Sequence, residues 1–191
     1  MGEFVTYKIG IATVCVAGGL MLAGCDTTSP MAGYTPSTNN ILGFQSALKP
    51  SGTSVKTGDF TATPGVEIPT CRMAGKLDVT AGKPLELYVK EAMQAELFQA
   101  GVYDANSGVV ISGRLDQLKV NTFGTGSWEL GLQVTSSKDP VGYHVQAIRT
   151  FKSSYSAMSA CQNATNAFAP TVQDLLGQVI ANPGFGKLVG K

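Results

Sequence analysis

Between residues 109 and 152 apolar side chains fall at alternate positions through three successive segments, separated by the short turns NTFGTG and KDPVG. Side chains alternate faces along a strand, so each segment has one face to bury and one to leave in water. Turns this short join antiparallel neighbours, and the three segments predict a meander within one sheet. In SWELGLQVTSS the shared face carries Trp128, Leu130, Leu132 and Val134, and in YHVQAIRTFKSS it carries Tyr143, Val145, Ala147 and Phe151. VVISGRLDQLKV breaks phase, with Ile111 and Leu115 at one parity and Leu118 and Val120 at the other. A β-bulge near Asp116 and Gln117 reconciles them.

Two amphipathic helices flank the meander. In AGKPLELYVKEAMQAELFQAGVY, Pro84 stands at the opening turn and Leu85, Val89, Ala92, Met93 and Leu97 recur at threes and fours until Gly101. In MSACQNATNAFAPTVQDLLGQVIAN, one face holds Cys161, Ala164, Phe168, Val172, Leu175, Leu176 and Val179. Pro170 is expected to kink or interrupt this helix, because it removes a backbone donor. CRMAGKLDVT, residues 71–80, reads as a further strand. The order predicts an α+β class: a two-layer sandwich of an antiparallel-rich four-stranded sheet with two helices on one face, preceded by an extended arm.

Residues 1–24 contain Lys8, offset by Glu3, and the apolar run IGIATVCVAGGLMLAG before Cys25. That run is short for a bilayer span and has the length of a signal-peptide core, so it stands outside the fold. Leu22-Ala23-Gly24-Cys25 resembles the lipobox of bacterial lipoproteins; a short transmembrane helix or an ordinary secretory signal is the alternative. The resemblance implies a signal peptide over residues 1–24, cut before Cys25, with lipidation of its thiol and acylation of the new amino terminus. Three acyl chains make a firm membrane tether, since one alone binds only marginally. The implied location is the periplasmic side of a bacterial membrane, and Asp26 resembles the residue that keeps enterobacterial lipoproteins in the inner membrane. Beyond the anchor, residues 25–45 read as a flexible stalk, 46–70 as an extended arm with at most one short strand, and 71–186 as the α+β domain. Stalk and arm together imply a reach of about 45 residues toward a partner.

With Cys15 in the signal and Cys25 lipidated, Cys71 and Cys161 remain of the four cysteines. In an oxidising compartment they are expected to pair as a disulfide. The rival reading is a reactive Cys161 thiol near a helix start. His144 is the single histidine and cannot alone build a typical metal site, so it reads as solvated or partnered. Asp104, Asn106 and Gly108 begin a calcium-loop spacing, but the twelfth position is Leu115, and a turn is the better reading. Ser127 in GTGSWE lacks the strand-turn-helix setting of a nucleophile, and the phase of Trp128 places it in a core rather than a binding hot spot. No paired carboxylates, triad or metal cluster is legible, and no cofactor is expected. With 14 basic against 13 acidic residues, the charge pattern carries no nucleic-acid footprint.

LAGC together with PLELYVKEAMQAELFQAGVY, VVISGRLDQLKV, GTGSWELGLQVTSS and ACQNATNAFAPTVQDLLGQVIANPGF resembles the small α+β envelope lipoproteins of the YajG-like group. More distantly it is similar to the auxiliary lipoproteins of lipid-transport ABC systems. The resemblance covers residues 71–186 and the lipobox, and brings no catalytic residue. It implies a membrane-anchored, non-enzymatic binding or assembly component of the envelope, working through a protein partner or a lipid-transport complex. The alternatives are an envelope hydrolase or thiol enzyme using Ser127 or Cys161, and a structural subunit of a secretion or surface assembly.

Overall fold

The computed structural model describes residue 2, residues 33–72 and residues 75–191. Cys15, Cys25 and Asp26, and with them the signal-peptide and lipobox readings, lie outside the described residues. The elements are α1 (Thr38–Leu48), β1 (Lys56–Ala62), α2 (Leu85–Gln99), β2 (Val110–Asn121), β3 (Thr125–Ser136), β4 (Tyr143–Lys152), α3 (Ala157–Ala181) and α4 (Phe185–Leu188). No described helix is long and apolar enough to cross a membrane.

The sheet runs β1-β2-β3-β4, with β2, β3 and β4 forming the antiparallel meander. The register of β2 against β3 shifts between Leu115 and Gln117, where the parity break demanded a bulge. Ile111 and Leu115 are buried on the helix side, and Leu118 and Val120, beyond the bulge, pack against the same core. The apolar stripes of α2 and α3 are buried along their whole length, Leu85 to Leu97 on one and Cys161 to Val179 on the other. Trp128 is fully buried, with its ring 5.1 Å from that of Phe168. Its indole N–H donates to the Ala164 carbonyl at 2.7 Å, satisfying the one polar atom a buried tryptophan brings.

The first strand lies earlier than expected. β1 is residues 56–62, paired parallel to β2 across the α2 crossover, whereas the described residues of 71–80 form no strand, and Lys76 makes an isolated bridge to Thr70. The apolar residues of that stretch, Leu77 and Val79, are buried without a strand partner. A turn closed by the Cys71 N–H on the Gly75 carbonyl, with Arg72 at φ 48°, bends the chain away from extension. β1 was hard to read because only Phe60 of its seven residues is buried. An edge strand of this kind has almost no alternation to show.

Residues 38–48, read as the junction of stalk and arm, form α1 against both α2 and α3, burying Phe44 and Leu48 completely. The folded unit thus begins well before residue 71, and Val189 belongs to the same core. Pro170 does not interrupt α3, which is continuous through it. The carbonyl that loses its donor is that of Asn166, a solvent-exposed position, so water can satisfy it.

Candidate functional site

Cys71 and Cys161 are joined by a disulfide, Cα atoms 5.8 Å apart, fastening the segment after β1 to the first turns of α3. Arg72 follows and reaches across the same end of the sheet. Its Nε donates to Thr122 Oγ1 at 3.4 Å, its Nη1 to the Tyr155 carbonyl at 3.2 Å and its Nη2 to the Ser154 carbonyl at 2.9 Å. Nη2 also donates to the Thr122 carbonyl, and the guanidinium carbon stands 4.5 Å from the Phe123 ring centre. One cation thereby ties the β2–β3 turn to the β4–α3 loop, and its carbonyl partners leave its positive charge uncancelled.

On the turn and loop so tied, Phe123 is 66 % exposed and Tyr155 has its whole surface free, and Met158 in the first turn of α3 is 74 % exposed. Phe123 is lifted on the turn because Asn121 Oδ1 accepts its N–H at 2.9 Å. Tyr155 directly precedes Ser156, the N-cap of α3, whose hydroxyl accepts the Ser159 N–H at 3.5 Å. A side chain at that place ordinarily folds back onto the first helical turn, and here it does not. Between them lies an open depression lined by Phe123, Tyr155, Ser153 and the cations Arg72 and Lys152, with no carboxylate in its wall. The Ser153 hydroxyl is spent on the Thr122 carbonyl. The depression thus sets two cations beside exposed aromatic surface.

The other residues singled out from sequence lie elsewhere. His144 Nε2 on β4 meets Asp116 Oδ1 on β2 at 3.1 Å, over the open face of the sheet. They meet across β3 because residue 131 is glycine; a Cβ there would stand 2.5 Å from Asp116 Oδ1 and 3.1 Å from His144 Nε2. Beside them Gln117 donates to Glu129 at 2.9 Å. Ser127 shares this face but is not brought to the histidine: it pairs with Thr150, whereas His144 pairs with Gln133. Six residues along β3 separate the two, about 20 Å at the rise of a strand. Cys161 is in the disulfide and Trp128 is inside the core. Asp104 Oδ1 accepts the Asn106 N–H at 2.9 Å in a simple turn. Among the described residues no group of three His, Cys, Asp or Glu side chains is placed to hold a metal.

Arg72, Phe123, Tyr155 and Met158 were not foreseen as a group, although a phenylalanine beside a turn glycine and a tyrosine among serines are each unusual places for bulk. Glu96 was also missed. It is fully buried, and its Oε1 accepts from the Tyr34 hydroxyl at 2.5 Å, the Ser37 N–H at 2.8 Å and the Asn40 amide at 3.2 Å. Burial, and then the bond to Glu96, push the Tyr34 phenol well above its ordinary pKa.

No protein-family model matches the sequence, and none of the curated proteins matches it significantly. Among solved structures, the chain is similar to protein XCC0632 from Xanthomonas campestris, described by the family model DUF330. The two share 11% identity over 68% of this chain and 84% of that one, with a TM-score of 0.46. The hypothetical protein CT253 from Chlamydia trachomatis shares 9% identity over 68% of this chain and 99% of that one, with a TM-score of 0.38. PelC of Paraburkholderia phytofirmans, solved as a dodecamer, shares 15% identity over 65% of this chain and 91% of that one, with a TM-score of 0.31. None of the three scores reaches one half, so none assigns a function.

Proposed function

We propose that this chain is a membrane-anchored periplasmic lipoprotein, held through Cys25, that works as a non-enzymatic binding component of the bacterial envelope. The observation that carries the binding role is the exposed pair Phe123 and Tyr155 beside Arg72, with Met158 exposed in the first turn of α3, in a chain that buries Trp128, Phe44 and Phe168 completely. Keeping that much apolar surface in water is unfavourable unless something covers it. The disulfide that fastens this end suits an oxidising compartment. The separation of Ser127 from His144 and the bonding of Cys161 weigh against a hydrolase or thiol enzyme.

The test is metabolic labelling with radioactive palmitate in a bacterial host, with serine-hydrolase and thiol probes applied to the same membranes. Label on the wild-type chain, absent from Cys25→Ala, with neither Ser127 nor Cys161 modified, is the expected result. A wild-type chain without lipid label overturns the anchor, and probe attachment at Ser127 or Cys161 overturns the non-enzymatic role.

A further inference from the structure

We infer that the Phe123–Tyr155–Met158 end is the face on which the anchored domain seats against an anionic lipid bilayer. This rests on the reading of Cys25 as the anchor and names what the exposed cluster contacts. The side chains are those an interface accepts: a ring at a turn tip, a tyrosine carrying a polar end on an apolar body, and a flexible methionine. Their exposures of 66 %, 108 % and 74 % mean that they stand proud of the surface. Side chains that protrude in this way can enter a headgroup layer without a pre-shaped pocket to receive them.

Charge points the same way. Arg72 and Lys152 are the charged residues of the depression, and among the described residues neither forms an ion pair. Two uncompensated cations beside an apolar cluster match a leaflet bearing anionic headgroups. Chain length also fits. Tyr34 is already bonded to Glu96, so eight residues separate it from Cys25, and the nine steps between the two span about 30 Å at full extension. The Thr35 carbonyl is held by Gln173, and Gln173 lies 16 residues along α3 from Ala157, about 24 Å at the helical rise. A lipid on Cys25 and the cluster at the start of α3 can therefore enter one surface. The link is too short for the domain to leave that surface far behind.

The experiment places the photocrosslinker benzoylphenylalanine at position 123, at 155 or, for reference, at exposed Ile148 on the open sheet face, in the full chain in intact bacteria. On illumination, adducts of phospholipid mass are expected at 123 and 155, several-fold more abundant than at 148. Lys152→Glu is expected to lower their yield, while Arg72, which holds the fold of this end, is left unchanged. Protein adducts at 123 and 155 would assign the face to a protein partner and overturn the inference. So would lipid adducts no more frequent there than at 148. Palmitate labelling of the same samples separates the two readings. Labelled protein without lipid adducts leaves the anchor and removes the seat, whereas unlabelled protein removes the anchor and the seat with it.

Discussion

Glu96 is fully buried on α2, and among the described residues no cation pairs with it; its Oε1 gathers three donors from residues 34–40 instead. Removing this acceptor leaves the half-buried Tyr34 hydroxyl and Ser37 N–H without their partner, while the Asn40 amide keeps the Gln173 carbonyl, and it empties a buried site on α2. Glu96→Ala should lower stability by about 2–3 kcal/mol in urea denaturation, and an unchanged midpoint would contradict the role of Glu96 as the clasp of α1. Asp139 is a second carboxylate with a specific task. The Lys187 ammonium, 3.1 Å away, holds its carboxyl below the ordinary value of 3.8, helped by the Gly142 and Val141 N–H groups. A lowered folded pKa makes its stabilisation complete above that ordinary value and lost as pH falls through the folded one. Thermal melts should therefore show Asp139→Asn less stable than wild type at neutral pH, with the difference closing in acid. A difference that stays constant with pH would show the pairing to be irrelevant. Neither residue's partner was legible from the chain, since the donors to Glu96 lie 56–62 positions away and Lys187 is remote from the KDPVG turn.

Among the elements, the meander and the two long helices were readable because their periodicity is a local record of burial. α1 and β1 were not. α1 buries Asn40, Phe44 and Leu48, a stripe with just two large apolar residues, and β1 buries Phe60 alone. The disulfide binds the irregular segment that replaces the expected strand to α3. It closes a loop across a sequence separation of 90, which in the chain-entropy account contributes about 4–5 kcal/mol at most. Replacing both cysteines by serine should lower the urea midpoint accordingly. Peptide mapping without reduction should recover Cys71 linked to Cys161; two free thiols in the mature protein would refute the bridge. On β3, Gly131→Val should part Asp116 from His144 while the buried face of that strand keeps its packing. The loss of their contact would register as a displaced imidazole in a crystal structure of the variant, and an unmoved ring still 3.1 Å from Asp116 would show that the pair does not sense the glycine.

For the molecule as a whole, the decisive fact is where folding begins. The structure includes Tyr34 and α1, so the roughly 45-residue reach expected of stalk and arm shrinks to the eight residues between Cys25 and Tyr34. A chain cut to start at residue 49 loses Phe44 and Leu48 from the core. At about 2–5 kcal/mol for each large side chain, that removes most of an ordinary domain's stability. A chain starting at residue 33 should melt cooperatively and the shorter one should not; equal melts would restore α1 to the stalk. The amino-acid sequence by itself determined the α+β class, the inner faces of β2, β3 and β4, the bulge near Asp116 and the buried stripes of α2 and α3. These are repeats of two and of about 3.6 residues, imposed by burial on neighbours along the chain. Only the tertiary structure decided the parallel place of β1, the docking of α1 on Glu96, the meeting of Asp116 and His144 across Gly131, and the aromatic end held by Arg72. Each of these depends on which distant segments stand side by side, and no local period records that.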